Sequence, residues 1–106
     1  MSVLEKDKVD GLAISKDGKS LIILLSDHLD FRNEEKHLLV LQDKINAYLG
    51  FIENQQYKEI YLDKVFENII IEIHFKYKLT ENCRKFINVV NDQISVLKTK
   101  CKIVES

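Results

Sequence analysis

The apolar positions of this chain change period along its length, and each period predicts a different element. Val9 to Ser15 and Ser20 to Asp27 are two apolar runs around Lys16-Asp17-Gly18-Lys19. Asp-Gly between such runs signals a β-hairpin whose two central residues take positive φ. With Asp17 and Gly18 as the loop residues, Lys16 faces Lys19, and the register follows. Ile14 lies opposite Leu21, Leu12 opposite Ile23 and Asp10 opposite Leu25, so this face is apolar except at Asp10. The other face pairs Ala13 with Ile22 and Gly11 with Leu24; neither face is polar, which predicts a cover for the second.

From Asn33 to Asn54 the period becomes helical. Leu38, Leu41, Ile45, Tyr48, Leu49 and Ile52 share one face, with Lys36, Asp43, Asn46 and Glu53 mostly opposite. Asp30 or Asn33 can cap this helix, and Glu34 and Glu35 suit its positive first turn. A second stripe, Val40, Ala47 and Phe51, makes the apolar coverage wider than one-sided packing demands.

Tyr57 to Leu62 reads as a short strand, followed by a polar turn through Asp63 and Lys64. Ile69 to Leu79 alternates cleanly: Ile69, Ile71, Ile73, Phe75, Tyr77 and Leu79 face one way, while Ile70, Glu72, His74, Lys76 and Lys78 face the other. Thr80 caps a second helix with an apolar face of Cys83, Phe86, Ile87, Val90, Ile94 and Leu97. Cys101 to Val104 extends that helix or forms a short edge strand; Thr99 and Lys100 weaken the helical pattern and favour the strand. The expected architecture is α+β, a two-layer sandwich of a mostly antiparallel sheet with two helices on one face, in the order ββαββα with a short C-terminal strand. With no proline and no linker-like stretch, residues 1–106 read as a single domain.

Several segments together resemble a known family. They are Met-Ser-Val-Leu at the N-terminus, the hairpin start Val9-Asp10-Gly11, the segment Ser26-Asp27-His28-Leu29-Asp30-Phe31, and the helix from His37 through Ile45-Asn46-Ala47-Tyr48-Leu49-Gly50-Phe51-Ile52-Glu53. The chain is similar in these to a family of small bacterial proteins known only as a domain of unknown function. The resemblance implies a bacterial, single-domain protein. It implies no activity, cofactor or catalytic residue.

Composition narrows the function classes. The chain is 45% hydrophobic and 31% charged with a net charge of -1, so it offers no field for polyanions, and nucleic acid is not an expected partner. Arg32 and Arg84 are the only arginines, and Tyr48, Phe51, Tyr57 and Tyr61 lack the interleaved arginines of a base-stacking platform. Lys98, Lys100 and Lys102 follow the second helix, where cations meet the negative end of its dipole. Gly11, Gly18 and Gly50 form no phosphate loop. Met1 to Lys8 has no apolar leader, and the longest aliphatic run, Leu21 to Leu25, is too short to span a bilayer; the expected location is the cytoplasm, without membrane contact. Cys83 and Cys101 stand at apolar positions without metal-ligand spacing and read as small buried hydrophobes.

One place concentrates chemistry. At the open end of the hairpin Asp10, Asp27, His28 and Asp30 gather three carboxylates and an imidazole, a set able to serve as a general base or to ligate a divalent metal or small ligand. In a catalytic version His28 and Asp27 do the work. No nucleophile motif accompanies them, so the preferred reading is a strand-to-helix joint in which the aspartates cap backbone N–H groups. His37 approaches His28 only if the connection folds back, and His74 is a surface residue between Glu72 and Lys76. Surplus apolar surface at Val40, Ala47, Phe51, Ile22 and Leu24, with Val89 and Val96 on the second helix, suggests a protein interface or a homodimer. The expectation is therefore a non-catalytic interaction module without a cofactor, with a small hydrolase or metal- or ligand-binding domain as the alternative.

Overall fold

A computed structural model describes residues 9–62 and 64–105. The readings of Met1 to Lys8 and of a turn at Asp63 lie outside these residues. Strand β1 (Gly11–Ile14) and strand β2 (Ser20–Asp27) form the hairpin with the register read above, Gly11 opposite Leu24 through Ile14 opposite Leu21. The turn differs. Ser15 N–H donates to the Ser20 carbonyl at 3.0 Å and Gly18 N–H to the Ser15 carbonyl at 2.9 Å, so Lys16 to Lys19 form a four-residue loop. Among the described turn residues only Gly18 has positive φ (75°), because the Asp17 carboxylate accepts from Ser15 Oγ at 2.6 Å and from Lys19 N–H at 3.0 Å and folds the loop without a second left-handed residue.

Helix α1 (Glu34–Glu53) follows, capped by Asn33, whose side chain accepts from Lys36 N–H at 3.2 Å. The predicted strand Tyr57 to Leu62 is instead a single 3-10 turn, Gln56–Glu59, with bends beyond it. What this segment carries is two tyrosines four apart. Tyr57 and Tyr61 both lean on Phe66, with ring centroids 6.1 and 5.9 Å away, and Tyr57 also meets Phe51 at 6.4 Å; Ile60 and Leu62 point to solvent. Removing one strand from the path reverses the next. Strand β3 (Asn68–Phe75) therefore runs parallel to β2, Ser20 opposite Asn68 through Asp27 opposite Phe75.

β3 ends at Phe75, four residues before the predicted limit. Tyr77 is exposed, whereas Leu79 returns to the core. Thr80 caps helix α2 (Glu81–Ile94) by accepting from Cys83 N–H at 3.1 Å. The chain then closes with strand β4 (Thr99–Glu105), parallel to β3, so the C-terminal strand is present and longer than expected. Lys98 holds the turn before it, but Lys100 and Lys102 lie on the strand's exposed face and not at a helix end.

The protein is thus α+β with two helices and one four-stranded sheet in the order β1-β2-β3-β4, but the sheet is mixed and not mostly antiparallel. Both parallel connections step the same way across the sheet, and right-handed crossovers then put both helices on one face. The core matches that arrangement. Leu21, Ile23 and Leu25 of β2, Ile69, Ile71, Ile73 and Phe75 of β3 and Cys101 of β4 pack with Leu41, Ile45, Tyr48 and Ile52 of α1 and Cys83, Ile87, Val90 and Ile94 of α2. At the outer edge, the Asn91 side chain accepts from Cys101 N–H at 2.7 Å and donates to the Cys101 carbonyl at 3.2 Å.

Gln55 and Lys98 leave their helical turns with φ of 55° and 54°, a conformation that costs an L-residue about 1–2 kcal/mol. Gln55→Gly and Lys98→Gly should each stabilise the fold by about 0.5–1 kcal/mol after the added entropy of the unfolded chain is counted, read as a higher thermal midpoint.

Candidate functional site

α1 carries an unexpected stripe toward the sheet: His37, Leu41, Lys44 and Tyr48, at intervals of four, three and four, are all buried. Three of these have polar ends, and each meets the open end of the hairpin. The Lys44 side chain is 0% exposed, and its Nζ lies 3.2 Å from Asp10 Oδ1 and 5.3 Å from the centre of the Tyr48 ring. Asp10 Oδ2 accepts from Ser26 N–H at 2.8 Å. Tyr48 donates its hydroxyl to the Leu24 carbonyl at 2.6 Å and accepts from Asp10 N–H at 2.9 Å; burial drives the phenol's pKa far above its ordinary value. No buried side-chain nitrogen or oxygen among the described residues lacks a hydrogen-bond partner.

The second link is Asp27 to His37. Asp27 Oδ2 and His37 Nε2 are 2.5 Å apart, Asp27 Oδ1 accepts from Leu29 N–H at 3.1 Å, and Phe31 stacks on the imidazole with centroids 4.1 Å apart. His37 Nδ1 lies 2.9 Å from the Asp30 carbonyl, which can only accept, so Nδ1 carries a proton. The short contact at Nε2 then requires one further proton between carboxylate and imidazole. The pair is therefore neutral overall, an imidazolium with a carboxylate or a neutral imidazole with a carboxylic acid.

The four residues expected to form one site thus separate. Asp10 and Asp27 come to the same end of the sheet, but each is committed to a different residue of α1. Asp30 turns back on its own loop, accepting from Arg32 N–H at 3.1 Å and pairing with Arg32 Nε at 3.3 Å. His28 is exposed on the rim. His37, not His28, completes Asp27, and among the described residues no group of three or more His, Cys, Asp or Glu is placed to hold a metal ion. Asp27 and Asp30 each accept from a backbone N–H two residues on, but the helix N-cap is Asn33 and not either aspartate, and among the described residues His28 meets no carboxylate or carbonyl.

Above this joint, at the carboxyl ends of β2 and β3, opens a cleft of about 450 Å³. Leu29, Val40 and Tyr77 give it apolar walls, His28, Arg32 and Lys36 stand around it, and the buried His37 forms part of its floor. The carboxyl ends of parallel strands are where open sheets flanked by helices commonly place ligands. Among the other interface candidates, Ala47 and Phe51 are half-buried on α1, and Ile22 and Leu24 are half-buried on the sheet face away from the helices. His74 lies on that face too, 2.7 Å from Glu72.

Neither thiol is available for chemistry. Burial pushes Cys83 up to about 12, helped by the negative charges of Asp27 and Glu34, and burial alone pushes Cys101 up to about 12. At pH 8 the folded protein should react with a thiol reagent about three orders of magnitude more slowly than a free cysteine of pKa near 8.5, and at the free rate once unfolded in urea. The sign for stability follows. Below the unfolded-state value both states keep the proton and nothing changes; as pH rises from about 8.5 toward 12 only the unfolded thiols ionise, so stability falls through that window.

Fold and site together define a small α+β domain in which buried polar pairs fasten a crossover helix to a hairpin beneath an open cleft. The chain belongs to a family of unknown function, DUF6572, which matches residues 1–105. No curated protein and no solved structure matches it. No helix among the described residues is long and apolar enough to cross a membrane.

Proposed function

We propose that this protein is a non-catalytic protein-interaction module of the bacterial cytoplasm, binding a partner or a second copy of itself through the flank of α1 beside the cleft. The observation that carries the reading is the division of labour on α1. Two of its ionisable groups, His37 and Lys44, are turned inward and consumed by the fold, while Leu39 is 61% exposed and its neighbour Val40 lines the cleft with the exposed Tyr77. Half-buried Ala47 and Phe51 continue the apolar surface along the same helix. Ile22 and Leu24 offer a second such surface on the sheet.

The hydrolase alternative lacks working parts. Both nitrogens of His37 are occupied, and the Cys83 thiol, close enough to feel the charge of Asp27, is buried and held protonated. Exposed His28 makes no side-chain hydrogen bond to a carboxylate among the described residues.

A photoreactive benzoylphenylalanine at position 39, expressed in the native host, tests the reading. Discrete protein adducts are expected; a self-adduct with a doubled mass by light scattering identifies a homodimer, one that Val40→Ala or Phe51→Ala weakens. A monomeric mass at every concentration together with no discrete adduct overturns the proposal.

A further inference from the structure

The cleft combines two chemistries in one concavity, and their arrangement selects a ligand class. Its volume of about 450 Å³ is at the small end of the roughly 300–1,000 Å³ usual for ligand pockets, enough for a few side chains. Leu29, Val40 and Tyr77 can bury an apolar group. Around them Arg32, Lys36 and the exposed His28 face a single carboxylate, Asp30, and that carboxylate is already held by Arg32. Among the described residues neither the Lys36 ammonium nor the His28 ring has a hydrogen-bond or ion-pair partner. The mouth thus keeps one cation, Lys36, and one further side-chain donor, His28, without an internal partner.

What the cleft lacks narrows the choice further. Four of its backbone N–H groups are taken: Leu29 donates to Asp27, Arg32 to Asp30, and Lys36 and His37 to Asn33. Those four are closed to an anion. Tyr77 is the only aromatic ring on the walls apart from the two histidines, which gives no platform for successive bases. The side-chain donors of Arg32, Lys36 and His28 suit a carboxylate.

We infer that the cleft between the β2–α1 joint and Tyr77 binds an acidic peptide segment, an apolar side chain on Leu29, Val40 and Tyr77 with an adjacent carboxylate on Arg32, Lys36 and His28. This deepens the interaction reading and rests on it. The occupant is a protein partner's segment because half-buried Ala47 and Phe51, seven and eleven residues on, continue the apolar flank of Val40 along α1, beyond the reach of a small acid.

The test uses the full chain, labelled with nitrogen-15, and three probes: the capped peptide acetyl-Glu-Leu-Phe-Glu-amide, its Gln-for-Glu counterpart, and N-acetylphenylalanine. The acidic peptide should shift the amide resonances of Leu29, Asp30, Arg32, Lys36, Val40 and Tyr77. It should bind at least tenfold tighter than the Gln peptide, and weaken as salt rises. Lys36→Glu and Arg32→Gln, both at exposed positions, should leave the remaining spectrum in place and remove that preference. Equal affinity for the two peptides, shifts centred elsewhere, or none at millimolar probe overturns the inference. Tighter binding of N-acetylphenylalanine than of the peptide also overturns it, in favour of a small-acid site. Crosslinks from position 39 that persist while the cleft stays silent sink this inference and leave the interaction reading standing.

Discussion

Lys44→Met should lower the unfolding free energy by about 3 kcal/mol, a large share of the roughly 5–15 kcal/mol that holds a domain of this size together. Methionine fills similar space, so packing changes little. What changes is Asp10, whose side chain is only 4% exposed and loses the cation 3.2 Å away while keeping its bond from Ser26 N–H. A buried carboxylate stripped of its partner retains the desolvation cost without the attraction that offset it. The double variant Asp10→Asn/Lys44→Met should recover more than 1 kcal/mol of the loss, because neither side then carries a buried charge. Urea unfolding measures both, as a shift in midpoint at constant slope. A neutral Lys44→Met would show that the pair makes no net contribution to stability.

Asp27 and His37 should respond differently, because their contact needs a proton more than it needs a charge. In Asp27→Asn the new amide can donate to His37 Nε2, the imidazole still donates from Nδ1 to the Asp30 carbonyl, and the amide oxygen can still accept from Leu29 N–H. Every hydrogen bond survives between neutral groups, so the cost should stay within about 1 kcal/mol. His37→Ala instead leaves Asp27 buried without a partner and opens a hole beneath Phe31, at a cost of about 3–5 kcal/mol. Proton NMR provides a second readout: the 2.5 Å contact should give a far-downfield resonance in the native protein, lost in Asp27→Asn. If Asp27→Asn proves as damaging as His37→Ala, the pair is held by charge, as an imidazolium with a carboxylate.

The hairpin was legible because Asp17-Gly18 and the alternation on both sides fix the same register, and that register survives even though the loop closes at Ser15 and Ser20 instead of Lys16 and Lys19. Both helices were legible through their apolar stripes and their caps, Asn33 and Thr80. The sheet's direction was not. It turned on Tyr57 to Leu62, read as a strand although its two tyrosines stand four apart, and that spacing decides because both rings meet Phe66. One misread turn thereby reverses every strand after it.

At the joint, the sequence grouped Asp27 with His28, whereas the histidine that meets Asp27 is His37. His37 and Lys44 were passed over because ionisable residues on a helix are ordinarily solvated. The signal that places them inward is their phase. With Leu41 and Tyr48 they complete a stripe of intervals four, three and four that lies within the apolar face. Two aspartates at the facing strand ends, Asp10 and Asp27, are what allow a lysine and a histidine to be buried there. His28, one residue beyond the sheet, has no such partner and stays outside.

The Asn91 clamp on Cys101 bears on how this protein can be recognised at all. An open strand edge reads a partner's backbone and so tolerates many sequences, including a second copy of itself and, repeated, a fibre. At the middle of β4 the two bonds such a partner would make are already made by one side-chain amide. That stretch of the β4 edge is thereby closed to an added strand, whether from a second copy or from any other chain.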